Sequence, residues 1–167
     1  ITEAYVERYF GTAPEAQIWF SFTGKFFTGA MPSTANITEP VAAVFGFSAP
    51  EELSVLNPTG NIWETYPITA SAEEWNDYAV YFDYTAQTWE LYQNGLLVAS
   101  DLSFADPRME ALSRFKLSLE KAADSHAASY LDLVQVYAGN DFDGDGLGDA
   151  WERAFGFSPA TEDSDGN

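Results

Sequence analysis

The chain has 167 residues, 46% hydrophobic and 16% aromatic, and no cysteine. That composition excludes a disordered chain, zinc–thiolate sites and thiol nucleophiles, and the length allows one full domain plus a small appendage. A net charge of −19, from 26 acids against 7 bases, excludes nucleic acid and anionic membranes as natural partners, because both repel a negative surface.

The acidity is spread along the chain. Residues 139–167 hold eight acids and one Arg, and residues 1–138 hold eighteen acids and six bases. Strongly sulfated or uronic polysaccharides are disfavoured for the same reason, unless calcium bridges them. No run of 18 apolar residues exists, so no membrane insertion is expected. The lack of cysteine is neutral on compartment, since oxidising compartments permit disulfides without requiring them. No basic and apolar leader follows Ile1, and the sequence stops at Asn167 inside a repeating pattern. A piece from the C-terminal part of a larger protein is expected.

In chain order, Ile1–Phe10 and Gln17–Thr23 carry β-branched and aromatic residues in partial alternation, which predicts strands. The stretch Phe26–Glu39 is rich in Thr, Gly, Pro and Asn and predicts a long loop, the kind of segment in which sandwiches often place binding. Val41–Phe47, Leu53–Leu56 and the weaker Ile62–Tyr66 follow, each bounded by turn residues. In Trp75–Tyr84 the residues Trp75, Tyr78, Val80 and Phe82 are placed to share a buried side. Thr88–Gln93 and Leu96–Ser100 flank Asn94–Gly95, and Asn-Gly between two apolar runs predicts a type I′ hairpin. Ser113–Leu119 and Tyr130–Tyr137 complete the set. About nine short strands without a helical period point to an all-β antiparallel sandwich or barrel.

At Gly139 the composition shifts to Asp and Gly. Residues 141–152 read Asp-Phe-Asp-Gly-Asp-Gly-Leu-Gly-Asp-Ala-Trp-Glu, which places oxygen side chains at positions 1, 3, 5, 9 and 12 and Gly at position 6. This is the EF-hand loop pattern. Ca²⁺ takes six to eight hard oxygen ligands, and alternate residues of a tight loop point inward to supply them. The expected ligands are Asp141, Asp143, Asp145, the Leu147 carbonyl, Asp149 and Glu152, with Gly146 making the turn. The alternative is a solvated acidic linker, but packing these carboxylates together without a cation is costly. A short helix is expected over Ala150–Phe155, with Gly156 as its C′ residue and Pro159 as a stop. The pattern restarts at Asp163 and Asp165, whose carboxylates are either free or add to the first site.

This tail, with Gly-Phe-Ser-Pro and Asp-Ser-Asp-Gly-Asn after the loop, resembles the bacterial relatives of thrombospondin type 3 repeats. The resemblance implies a calcium-binding unit over residues 139–167 of a secreted or cell-surface protein, commonly a rigid spacer. Dockerins share the loop, but the early Gly156 and Pro159 argue against their longer helix. The stretch from Trp75 to Tyr137, carried by Glu-Trp-Asn-Asp-Tyr-Ala-Val-Tyr-Phe-Asp, Trp-Glu-Leu-Tyr-Gln-Asn-Gly and Tyr-Leu-Asp-Leu, resembles laminin G-like, concanavalin A-like domains. That resemblance implies an antiparallel jelly-roll sandwich over residues 1–138 with the calcium loop and helix as a short C-terminal appendage. It also implies glycan or protein ligands, and it places Trp75 and Trp89 in the core. Trp19 is expected in the core as well.

Catalysis finds little support. The glucanase branch of this fold carries a Glu-x-Asp-x-x-Glu strand motif, which is absent here. The nearest acidic cluster, Glu73–Asp77, has the wrong spacing. His126, the single histidine, lies in a polar loop without a nucleophile elbow. Trp63 and Tyr66 are the candidates for a pair that stacks on a sugar ring, against the reading that both are core. Trp151 is expected to pack the repeat against the sandwich, with Phe155 and Phe157. The expectation is therefore a non-catalytic, calcium-binding module whose sandwich binds glycan or a surface protein. A structural spacer, adhesin or filament subunit stands as the alternative, and a polysaccharide-degrading enzyme comes behind it.

Overall fold

A computed structural model describes residues 2–13, 16–37, 40–121, 128–138, 141–145, 149, 152 and 157–161. The strands in chain order are β1 (Thr2–Ala13), β2 (Gln17–Lys25), β3 (Phe45–Ala49), β4 (Glu52–Asn57), β5 (Ile62–Pro67), β6 (Asn76–Asp83), β7 (Thr88–Gln93), β8 (Leu96–Ser103), β9 (Leu112–Lys121) and β10 (Tyr130–Tyr137). A five-stranded sheet has the order β10-β2-β6-β7-β8, a three-stranded sheet the order β3-β4-β5, and β1 pairs with β9. Every pairing is antiparallel. The result is the expected all-β sandwich of jelly-roll type.

The core forms because period-two side chains from facing sheets meet. On the inner face of the five-stranded sheet, Ile18, Phe20 and Phe22 lie opposite Phe82, Val80 and Tyr78. Val80 and Phe82 continue to Leu91 and Trp89. This layer packs in one cluster with Phe47, Leu53 and Val55 of the three-stranded sheet. Gln93 is fully buried within it, yet its amide is satisfied. Its Nε2 donates to the Ala70 carbonyl (2.8 Å), and its Oε1 accepts from the Ala70 N–H (3.3 Å).

The Asn94–Gly95 turn has positive φ at both residues, 51° and 76°, as a type I′ hairpin requires. The loop after β2 departs from the picture of a free binding loop. Phe26 is buried and its N–H donates to the Ala72 carbonyl, Gly29 donates to the Phe47 carbonyl, and the Pro32 carbonyl accepts from the Trp63 indole at 2.9 Å. Residues 26–37 thus cover the three-stranded sheet.

Trp75 corrects an expectation. It precedes β6 rather than lying within it, and it is 54% exposed. The row of buried side chains on the inner face begins at Asn76 and continues through Tyr78. Trp89 and Trp19 are buried as expected, but Trp19 lies on the opposite face of the sheet from the sandwich core.

Candidate metal centre

The carboxylates of Asp141, Asp143 and Asp145 converge, each offering an oxygen within 4.8 Å of the others. The loop is shaped from within. The Gly144 N–H donates to Asp141 Oδ1 (2.8 Å), and the Asp145 N–H donates to Asp143 Oδ1 (3.3 Å). Gly144 itself has φ +79°, with open space where a Cβ would stand. Burial pushes the Asp143 carboxyl above its usual range. The charges of Asp145 and Asp141 add to that, while backbone hydrogen bonds from Asp145 and Thr161 oppose it. Asp143 Oδ2 is buried and meets no hydrogen-bond donor among the described residues. Buried polar atoms are almost always satisfied, and a hard divalent cation satisfies three converging carboxylates at once. The donor set therefore fits Ca²⁺.

Asp149 and Glu152 are helical residues three positions apart, so they share one side of a turn. They are 4% and 0% exposed. Glu152 also accepts the Phe157 N–H at its carbonyl (2.9 Å). Both oxygens of Asp149 are engaged: Oδ2 accepts from the Trp19 indole N–H at 2.6 Å, and Oδ1 accepts from the Phe142 N–H at 2.7 Å. The position-nine residue of the loop therefore ties the loop to a strand 130 residues away in sequence. Position nine of such loops often reaches the ion through a water, which is compatible with this second duty.

The sandwich supplies the seat. Trp19, Ala79, Tyr81 and Tyr92 form a second buried cluster, on the outer face of the five-stranded sheet, with Phe142 and Ala160 packed against it. The Phe142 ring stacks on Trp19 with centroids 4.4 Å apart and planes 13° apart. Tyr81 and Tyr92 tilt against the same indole at 5.1 and 5.4 Å. The hydroxyls of Ser158 and Thr161 donate to the Gly95 carbonyl at the hairpin tip. Gly95 is needed there twice: for its positive φ, and because a Cβ would come within 1.8 Å of Thr161 Oγ1.

Of the sequence-predicted ligands, Asp141, Asp143 and Asp145 come together, whereas Asp149 and Glu152 are buried but offer no oxygen to that converging group; Asp149 instead holds the Phe142 N–H and the Trp19 indole. Leu147, Asp163 and Asp165 lie outside the described residues, as do Gly146, Gly156, Trp151, Phe155 and His126. Trp63 and Tyr66 are both half-buried and are not brought together. Tyr66 pairs with Leu53 and packs on the core, whereas Trp63 pairs with Leu56 and turns its indole to the Pro32 carbonyl. Burial pushes the Tyr66 hydroxyl above its usual value, helped by its hydrogen bond to Glu64 (3.2 Å) and by that carboxylate's charge. Sequence reasoning missed the role of Trp19. The signal was present in β2 and β6, where Ile18-Trp19-Phe20 and Tyr78-Ala79-Val80-Tyr81-Phe82 are unbroken apolar runs. Such runs mark strands buried on both faces.

No protein-family model matches the chain, and no curated protein gives a significant match. Among solved structures the chain is similar to a sialidase, with a TM-score of 0.58 at 10% identity; 86% of this chain matches 15% of that one. It is also similar to a native heptameric SAP-like pentraxin from Limulus polyphemus, with a TM-score of 0.49 at 15% identity, over 78% of this chain and 68% of that one. At these identities the likeness to the sialidase is one of fold.

Proposed function

We propose that the chain is a non-catalytic calcium-binding module of a secreted or cell-surface protein. In this reading residues 1–138 form a glycan-binding sandwich, and residues 139–167 form a calcium unit of the thrombospondin type 3 kind. The observation that carries the calcium reading is the convergence of Asp141, Asp143 and Asp145 around a buried, unsatisfied Asp143 oxygen. Residues 141–152 also meet the full ligand spacing of a calcium loop. Unlike a freely extended spacer, the loop is anchored by Trp19 and Gly95, so ordering the loop orders the outer face of the sheet as well.

The glycan reading has a motive in the fold, which is shared with part of a sialidase, a protein named for action on glycans. Neutral glycans fit an acidic surface better than anionic ones.

Calorimetric titration of Ca²⁺ into chelator-treated protein tests the metal. One ion per chain is expected, lost in the Asp141→Ala/Asp145→Ala variant, with Kd on the order of 10⁻⁴–10⁻³ M as in extracellular modules. Absence of heat in the wild type would remove the calcium reading.

A further inference from the structure

We infer that Trp75 and Tyr130 form a stacking platform for one ring of a neutral glycan; the inference rests on the glycan-binding reading and gives it a site. The two side chains are 54% and 53% exposed, and their ring centroids lie 6.2 Å apart with planes 46° apart. The sheet places them together. Asn76 pairs with Gly24, and Lys25 pairs with Tyr130, so Trp75, one residue before β6, stands beside the Lys25–Tyr130 pair. The two rings are at the open corner of the same outer face whose other part is covered by the calcium loop.

The platform is held stiffly. Asn76, beside Trp75, is buried, and its amide donates to the Ser71 and Glu74 carbonyls at 2.8 and 3.0 Å while its Oδ1 accepts from Asn94 at 2.9 Å. On the other side the Phe27 N–H donates to the Ser129 hydroxyl next to Tyr130, at 3.0 Å. A prepared site loses little freedom on binding.

Chemistry decides the occupant. Two half-exposed aromatic rings offer a few hundred Å² at most, well short of the roughly 800 Å² per partner that a stable protein interface needs. They suffice for one pyranose, whose C–H face is apolar and whose edge is a ring of hydroxyls. Hydrogen-bonding groups stand nearby. Glu73 accepts from Thr28 Oγ1 (2.7 Å), Asp77 accepts from Thr23 Oγ1 (2.6 Å), and Asp132 lies opposite Thr23 in the ladder. Each carboxylate keeps a second oxygen for a sugar hydroxyl. Lys25 beside Tyr130 offsets one of those three charges, and the remaining negative balance, on a chain of net charge −19, disfavours carboxylated and sulfated sugars.

Affinity electrophoresis of the whole chain, with calcium present, through gels holding β-1,4-glucan, β-1,3-glucan, mannan, xylan or polygalacturonate tests this. At least one neutral polysaccharide should retard the wild type, and polygalacturonate should not. Trp75→Ala and Tyr130→Ala should each weaken retardation roughly tenfold, with Trp75→Phe between them and the wild type, as expected for loss of one aromatic contact. Trp63→Ala should change nothing, and matched melting temperatures should show that the variants fold. Bound oligosaccharide should also shield Trp75 from acrylamide quenching. Retardation that survives in a Trp75→Ala/Tyr130→Ala double variant overturns the platform and leaves the glycan reading standing. A wild type that no polysaccharide retards overturns both. A wild-type dimer that becomes monomeric in the double variant overturns the proposal in favour of a second copy as occupant.

Discussion

Trp19, in β2, and Trp75, just before β6, stand on the same side of the five-stranded sheet, about six residues apart along it, and their surroundings differ completely. Trp19 is 0% exposed and Trp75 is 54% exposed. Strand position alone does not separate them, since both lie on the side of the sheet that faces away from the sandwich core. The difference is the C-terminal segment, which lays Phe142 on the Trp19 indole and accepts its N–H at Asp149. One end of the face is closed by the tail's Asp-rich segment, and the other is left open with aromatic rings on it. An aromatic residue on an outer sheet face is thus a structural residue where the chain returns to cover it, and a binding candidate where it does not.

Removing Trp19 should have the largest effect. Trp19→Ala empties the centre of the outer cluster and is expected to lower unfolding stability by about 3–5 kcal/mol in urea melts. It should also weaken calcium binding by roughly tenfold, because it releases the residue that orients Asp149. A loss confined to stability, with calcium affinity intact, would show that the loop and the sheet are energetically separate.

Asp149→Ala sharpens the same contrast from the other side. It leaves the Trp19 N–H buried without its acceptor, and a cost of about 1–3 kcal/mol is expected. Asp149→Asn, which keeps an acceptor oxygen, should recover part of that cost.

Gly95→Ala should cost about 1 kcal/mol from the left-handed backbone alone. Displacement of Thr161 comes on top, and Thr161→Gly in the same chain should return that second portion. A double-mutant cycle on the melting transition reads the coupling. The smallest effect is expected from Trp75→Ala, within about 0.5 kcal/mol, as for surface positions that pack on little. A large destabilisation there would contradict the division of the face into a closed and an open part.

Much of this was legible in the sequence, in physical terms that differ from element to element. The β7–β8 hairpin follows from Asn94–Gly95, because few other dipeptides tolerate positive φ twice. The convergence of Asp141, Asp143 and Asp145 follows from alternate spacing in a tight loop. The expectation for Trp75 failed because period two, continued backwards from Phe82, Val80 and Tyr78, reaches Asn76 and leaves Trp75 on the other face of the sheet. Nor did the separation of Trp63 from Tyr66 follow from an expected sugar-stacking pair. Residues three apart along one strand point to opposite faces, which already argues against that pair, and the registry with Leu53 and Leu56 shows where each ring goes. The seat of the Asp-rich loop is a long-range contact between residues 19 and 149. Its only trace in the sequence is the pair of apolar runs in β2 and β6 that one buried face cannot explain.

The central claim is that calcium at the Asp141 loop stabilises the whole sandwich through the Trp19 seat. Urea unfolding of the full chain, followed by far-ultraviolet circular dichroism with chelator and then with Ca²⁺ at 100 times its Kd, measures this most directly. The expected result is a single transition shifted by about 2.7 kcal/mol, the linkage value for one ion bound only by the folded state, and absent in Asp141→Ala/Asp145→Ala. A calcium-dependent change in the tail with an unmoved sandwich transition would contradict the account.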